Sequence, residues 1–107
     1  MARRKRYELI YDNEIGNHLA RIDRQYHSLI RREIKASLTY EPDTETRNRK
    51  PLSRPSVLGM AWELRFGPNN GLRVFYRTDP EAAQVYVLAI GIKQRDRLLV
   101  GGEEFDL

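Results

Sequence analysis

Three charged residues are spaced so that they could act together on a phosphate group. Residues 61–67 and 71–77 alternate apolar and polar side chains on either side of a Gly/Pro/Asn-rich turn, which predicts a β-hairpin. Because side chains alternate across a strand, Glu63, Arg65 and Arg73 are expected on one face of that hairpin. Guanidinium groups on a rigid sheet can bind phosphate through paired hydrogen bonds, so we interpret this face as a phosphate-handling surface.

Further cations follow the next predicted strand. Residues 84–92 are an almost continuous apolar run, which predicts a strand that is buried on both faces and central in the sheet. Lys93, Arg95 and Arg97 come directly after it. If this exit lies near Arg73, the cations would converge and stabilise the extra charge of a phosphorane-like transition state. RNA would then be cleaved by attack of the ribose 2′-hydroxyl on the adjacent phosphate, with proton transfers by positioned groups.

The distribution of charge also favours a polyanion as a partner. The formal net charge is +4, and it equals the four basic residues at positions 3–6, so the rest of the chain is balanced. Between positions 47 and 73, however, six basic residues accompany a single acid. The simpler alternative is that these are solvated charges, with Glu63 paired to a neighbouring arginine. The residues expected to contact RNA are Arg47, Arg49, Lys50, Arg54 and Arg97.

Composition narrows the remaining function classes. The chain has no cysteine, no histidine–carboxylate grouping with metal-ligand spacing and no glycine-rich phosphate loop, so we expect neither a metal nor a cofactor. His18 and His27 lie in the predicted helical region, away from the arginines, and are expected to be helix-packing or helix-surface residues. No apolar run approaches a membrane span and no signal peptide is recognisable, so we expect a soluble, cytoplasmic protein.

The predicted elements form one small α+β domain over residues 1–107. A strand at residues 5–11 precedes a helical region that runs to Glu41 and bends or breaks near residues 24–28, although no Gly or Pro marks that point. A polar loop at residues 43–55 leads to the hairpin and the central strand. We therefore expect one or two helices on a mainly antiparallel, four-stranded sheet. A basic tail (1–6) and an acidic tail (101–107) flank the domain. The acidic tail could fold back over the basic face or be disordered, and we expect disorder.

This order of elements resembles the RelE/ParE superfamily of toxins from bacterial type II toxin–antitoxin systems. The likeness covers residues 5–100 and has three local patterns: Lys50-Pro51-Leu52 before the hairpin, the hairpin itself, and Val87-Leu88-Ala89-Ile90-Gly91 followed by the cations at 93–97. It implies that Arg73 corresponds to the arginine that holds the scissile phosphate. Arg65 corresponds to a basic position of the preceding strand, and Lys93 or Arg95 to the basic residue after the last strand.

The resemblance implies a toxin that a cognate antitoxin neutralises. RelE-like members are metal-independent endoribonucleases that cut mRNA in the ribosomal A site, and this is the function we expect here. ParE-like members instead inhibit DNA gyrase, which is the first alternative. The second is a non-toxic member that only binds RNA or an antitoxin, because residues 99–105 lack the tyrosine or histidine that several RelE-like toxins use for proton transfer. Glu63 stands at a further position of the hairpin's first strand that is basic in the family. It could be a general base in place of a lysine, or it could hold Arg65 or Arg73 in an ion pair.

Overall fold

The protein folds as a small α+β domain, and seven strands of its described residues form one sheet. The computed structural model describes residues 4–54 and 59–105; the first three residues of the predicted basic tail and the last two of the acidic tail lie outside these ranges. The elements, in chain order, are β1 (Glu8–Tyr11), α1 (Ile15–Ala20), α2 (His27–Leu38), β2 (Arg49–Pro51), β3 (Trp62–Phe66), β4 (Leu72–Asp79), β5 (Gln84–Gln94), β6 (Arg97–Val100) and β7 (Glu103–Glu104).

The strand order confirms a mainly antiparallel sheet but corrects the number of strands. The sheet runs β2-β3-β4-β5-β6-β7, and β1 pairs in parallel with β5. The prediction of four strands was wrong, and the loop expected at residues 43–55 contains β2. The additional strands β2, β6 and β7 have only three, four and two residues, which is too short for a period-2 pattern to appear in the sequence.

The predicted break in the helical region is confirmed, and side chains account for it. A short 3₁₀ turn at Arg24–Tyr26 separates the two helices, and the Asp23 carboxylate accepts a hydrogen bond from the Gln25 amide at its start. Nε2 of His27 lies 2.9 Å from the carbonyl oxygens of Leu19 and Ile22. The ring therefore satisfies carbonyl groups at the end of the first helix, which explains a break without Gly or Pro.

Helices cover one face of the sheet, and the hairpin arginines lie on the other. Leu64, Val74 and Tyr76 lie in the core below the helices, and Trp62 packs against it with its ring stacked on that of Tyr76. The Tyr76 hydroxyl donates to the Pro42 carbonyl oxygen at 2.6 Å. Burial raises the pKa of this phenol above its usual value, so the hydroxyl remains a donor.

β5 is apolar along nearly its whole length because an apolar cluster covers each of its faces and because a bulge interrupts its alternation. Tyr76 is opposite Val87 while its neighbour Phe75 is opposite Ala89, so Leu88 is an extra residue in β5. Before the bulge, Val85 and Val87 face the helices, and after it Ile90 and Ile92 face them. Leu88 and Ala89, between these pairs, pack in the cluster on the arginine face. The predicted central, doubly buried strand is thus confirmed.

The expected disorder of the acidic tail was wrong for the part that the structure describes. After Gly101 and Gly102, which both have positive φ, β7 pairs with β6, and the Phe105 amide donates to the Leu98 carbonyl oxygen at 2.8 Å. The Phe105 ring lies 5.9 Å from that of Phe75, which is fully buried on the arginine face. This second, smaller apolar cluster holds the tail down.

Among the described residues, no helix has the length and apolar character needed to cross a membrane.

Candidate phosphate-binding site

The hairpin positions the three predicted residues on one face, as the sequence indicated. Arg65 lies directly opposite Arg73, and Glu63 directly opposite Phe75. The backbone of Arg65 is fixed on its other side, where its amide donates to the Asn48 carbonyl oxygen at 2.8 Å and its own carbonyl oxygen accepts from the Asn48 side chain at 2.7 Å. Like charges in direct cross-strand register repel each other, so this arrangement requires a counter-charge.

Glu63 is that counter-charge. Its side chain is only 4% exposed, and each of its oxygens accepts a hydrogen bond from a different arginine: Oε1 from Nε of Arg65 at 2.7 Å and Oε2 from Nη1 of Arg73 at 3.0 Å. Both carboxylate oxygens are therefore engaged. Of the two roles left open by the sequence, the ion pair is the one that the geometry displays.

Arg73 is held from two sides and directed into a cleft. Besides its bond to Glu63, its Nε donates to the Asn70 carbonyl oxygen in the hairpin turn at 2.8 Å. The turn is anchored to β5 as well, because the Gly71 carbonyl oxygen accepts from the Lys93 amide at 2.7 Å. Among the described residues, no partner engages the N–H groups on Nη2 of Arg73, and the Arg73 side chain is 11% exposed. A largely buried guanidinium with fixed orientation is suited to bind an anion bidentately.

The cleft collects the predicted cations from two strand ends. It has a volume of about 380 Å³ and is lined by Pro68, Asn69, Gly71, Arg73, Lys93 and Arg95. Lys93 lies at the end of β5, and Arg95 follows in the turn to β6. The expected convergence of this strand exit on Arg73 is therefore present. Arg65 is outside the lining but is joined to Arg73 through Glu63.

The residues predicted to bind RNA do not form one surface. Arg49 joins β2 to the end of α2 and to the loop after it. Its Nη1 donates to the Ser37 carbonyl oxygen at 2.6 Å, and its Nε donates to the Thr44 carbonyl oxygen at 3.0 Å. Lys50 lies opposite Glu63 in the sheet, hence on the arginine face, and its Nζ is 3.4 Å from the Glu45 carboxylate. Arg47 and Arg54 are exposed on the loops that flank β2.

Arg97 lies away from the cleft. It pairs with Gln94, one residue beyond Lys93, so strand alternation directs it to the opposite face of the sheet. Its Nε is 3.8 Å from the Glu104 carboxylate, and both side chains are about two-thirds exposed. The exposed cation at this position is therefore a natural comparison for Arg73.

Sequence reasoning missed the contribution of the hairpin turn. Asn69 lines the cleft and Asn70 supplies the carbonyl oxygen that fixes Arg73. Both have φ near +55°, a conformation that asparagine adopts more readily than other residues with a side chain. The Asn-Asn pair after Gly-Pro was a signal for this left-handed turn, but a turn type alone does not reveal which groups point to a neighbouring strand.

The histidines are structural. Along one edge of β5, β1 pairs with residues 84–87 and β6 with residues 91–94, which leaves a gap between them. In this gap Nδ1 of His18 accepts a hydrogen bond from the Ile90 amide at 3.2 Å. Burial lowers the pKa of His18, against opposing effects from Glu14 and Asp12, which favours the neutral ring that this bond requires. Within the described ranges, no group of three or more His, Asp or Glu side chains could hold a metal ion.

No protein-family model matches the chain, and no curated protein is significantly similar to it in sequence.

Proposed function

We propose that this protein is the toxin of a type II toxin–antitoxin system, of the RelE/ParE type, and that it cleaves mRNA on the ribosome. The observation that carries the proposal is the buried Glu63 carboxylate, which holds Arg73 at the edge of a cleft that Lys93 and Arg95 also line. Solvated surface charges do not require a buried counter-ion. A cation that is buried, oriented and open on one side is the arrangement that phosphate chemistry uses.

The cleft would act mainly by electrostatic stabilisation. Arg73 would bind the scissile phosphate and, with Lys93 and Arg95, offset the extra negative charge of the transition state. The 2′-hydroxyl would give its proton to a solvent water as its oxygen bonds to phosphorus, while the bond from phosphorus to the 5′-oxygen breaks. Lys93 is the lining side chain best able to give a proton to the leaving 5′-oxygen, because arginine remains protonated. Glu63 acts as a positioning residue: both of its oxygens are engaged by arginines.

Transcript mapping in bacteria tests this function. We expect induction of the parent protein to stop growth and to produce new transcript 5′ ends within coding regions. Arg73→Ala should abolish both effects, whereas Arg97→Ala, which removes an exposed cation from the other face, should retain them. Growth arrest with intact transcripts and DNA-damage signals would instead identify a gyrase inhibitor. Harmless expression of a folded parent protein would identify a non-toxic member of the fold.

The antitoxin expected of such a system needs a binding surface, and we assign it to the groove between β1 and the helices. Ile15, Leu19, Ile30 and Ile34 line an apolar groove of about 500 Å³. At the half-exposed Tyr11 and at Lys35 it joins a second groove of about 640 Å³ along β1. β1 pairs with β5 along one of the two edges of β1. Arg6, Arg31 and Lys35 outnumber Asp12 and Glu8 in the two linings, which favours an acidic amphipathic segment.

A matched pair of tyrosine variants tests this assignment. Tyr11 and Tyr40 are 43% and 39% exposed, but only Tyr11 lines both grooves. Tyr11→Glu should stop co-expression of an acidic protein encoded by the adjacent gene from restoring growth, because a carboxylate would face the acidic segment. Tyr40→Glu should leave that rescue intact. Equal rescue of both variants would place the partner elsewhere.

A further inference from the structure

The C-terminal segment packs beside the ion pair that orients Arg73. Phe75 lies two residues after Arg73 on the same face of β4, directly opposite Glu63, and it is fully buried. The Phe105 ring lies 5.9 Å from the Phe75 ring and is partly exposed, so it lies on the solvent side of this aromatic pair. Exclusion of water around an ion pair strengthens its electrostatic attraction and its hydrogen bonds. Through Phe75, Phe105 therefore supports the carboxylate–guanidinium pair.

The same segment supports the strand on the other side of Arg73. Gly91 of β5 lies directly opposite Arg73 in the sheet. A Cβ added at Gly91 would lie 2.8 Å from Cγ2 of Val100 and 3.3 Å from Cδ1 of Leu98, so side chains of β6 pack over the backbone at this point. The Phe105 amide donates to the Leu98 carbonyl oxygen at 2.8 Å and so holds β6 in place. Phe105 is thus linked to both strands that flank the guanidinium.

We propose that Phe105 is a positioning residue for the phosphate cleft, which it supports from outside the described lining. Leu98, to which it is bonded, pairs with Lys93, so the support reaches a second cation of the cleft. Loss of the Phe105 ring would admit water to the Glu63–Arg73 pair and release the guanidinium from its single orientation. The inference rests on the proposed RNA-cleaving function and names a residue on which that function depends.

The Nε–H groups of two arginines report on this support without any need for cleavage. Nε of Arg73 donates to the Asn70 carbonyl oxygen at 2.8 Å. Nε of Arg49, at the far side of β2, donates to the Thr44 carbonyl oxygen at 3.0 Å, and both arginine side chains are largely buried. Nitrogen-15 NMR records both groups, and Arg73→Lys and Arg49→Lys assign the two signals.

We expect Phe105→Ala to lose the Arg73 Nε–H signal by exchange with water and to keep the Arg49 signal, which serves as the internal control. Phe105→Tyr, which keeps the ring, should retain both signals. If Phe105→Ala does not fold, Phe105→Leu, which keeps an apolar side chain without the ring, takes its place. An Arg73 signal that persists in the folded variant, or loss of both signals together, would overturn the inference.

Cleavage of a defined mRNA on purified ribosomes tests the consequence for catalysis. Leu29→Ala is the matched control, because Leu29 is also partly buried but packs against the core on the helix side of the sheet. We expect Phe105→Ala to lower kcat by between about 10-fold and 100-fold and to change KM by less than about 3-fold, since misplacement of Arg73 affects the chemical step more than the docking of the whole protein. Phe105→Tyr and Leu29→Ala should keep the parent kinetics, with urea unfolding as the folding control.

An unchanged kcat in Phe105→Ala, or an equal fall in Leu29→Ala, would overturn the inference and leave the cleavage function standing. Absence of any cutting by the folded parent would overturn the proposed function itself, while the NMR comparison would still decide whether Phe105 orients Arg73.

Discussion

Glu63→Gln should lower the free energy of unfolding far more than Arg65→Gln, a substitution at its more exposed partner. Breaking a buried ion pair by removing one member typically costs about 3–5 kcal/mol, because the remaining charge is left uncompensated. Counted over the whole residue, backbone included, Glu63 is 3% exposed and Arg73 is 9% exposed. The glutamine side chain would keep one acceptor oxygen but place an NH₂ group towards a guanidinium. We therefore expect a loss of about 3 kcal/mol in the free energy of unfolding, near the lower end of that range.

Arg65→Gln is the matched control. The Arg65 side chain is 43% exposed, and after its removal Glu63 still pairs with Arg73, so we expect a loss of at most about 1 kcal/mol. Urea unfolding at pH 7 measures both values, provided that the m-value is unchanged. The Glu63→Gln/Arg73→Gln double variant should lose less than the sum of its single variants. If Glu63→Gln costs no more than Arg65→Gln, the carboxylate does not hold Arg73, and our account of the site is wrong.

Three further predictions concern the elements that support the site. Tyr76→Phe removes the only described donor to the buried carbonyl oxygen of Pro42 and should cost about 1–2 kcal/mol in urea unfolding. Gly91→Ala should lower the melting temperature, by more than the same change at the open Gly16, since a Cβ at Gly91 would lie 2.7 Å from a β6 carbonyl oxygen. Because the folded state lowers the pKa of His18 below its usual 6.5, the unfolded state takes up a proton first as pH falls. Stability of the parent should therefore decrease below about pH 6.5 more steeply than that of His18→Asn, measured by urea unfolding between about pH 7 and pH 5.

Much of the fold was predictable because its main elements are long and strongly patterned. The hairpin of β3 and β4, the central β5 and the interrupted helical region each span enough residues for a periodicity to be recognised. The bulge at Leu88 and the strand β7 were not predictable in this way. The bulge changes which residues face the helices part-way along one apolar run, and the acidic tail is held by a two-residue strand and an aromatic contact between Phe105 and Phe75.

The site was predictable as a set of charges but not as a geometry. Strand alternation placed Glu63, Arg65 and Arg73 on one face, and the position of Lys93 and Arg95 after the apolar run at residues 84–92 indicated that they would lie near Arg73. Local spacing could not distinguish Arg49 from these residues, because its partners, the Ser37 and Thr44 carbonyl oxygens, come from the end of α2 and the following loop. A basic residue in a basic segment can hydrogen-bond to neighbouring elements of the fold instead of binding a ligand.

The separation of Arg73 from Arg97 has a general physical reason. Both are arginines on strands, yet only Arg73 has a buried carboxylate beside it and a cleft in front of it. Burial of a counter-ion restricts a guanidinium to one orientation, whereas the Arg97 side chain and its acidic neighbour are mostly solvated. The buried acid therefore distinguishes an oriented cation from a solvated one better than the density of positive charge does.

The most direct test of the central claim is the chemistry of the RNA ends that the purified protein produces on ribosomes programmed with a defined mRNA. Attack by the 2′-hydroxyl leaves a 2′,3′-cyclic phosphate on one fragment and a 5′-hydroxyl on the other. We predict both ends with the parent protein and with Arg97→Ala, and no cut with Arg73→Ala. An uncut mRNA with the folded parent, or equal cutting by Arg73→Ala, would contradict the assignment of this cleft as the site of phosphate chemistry.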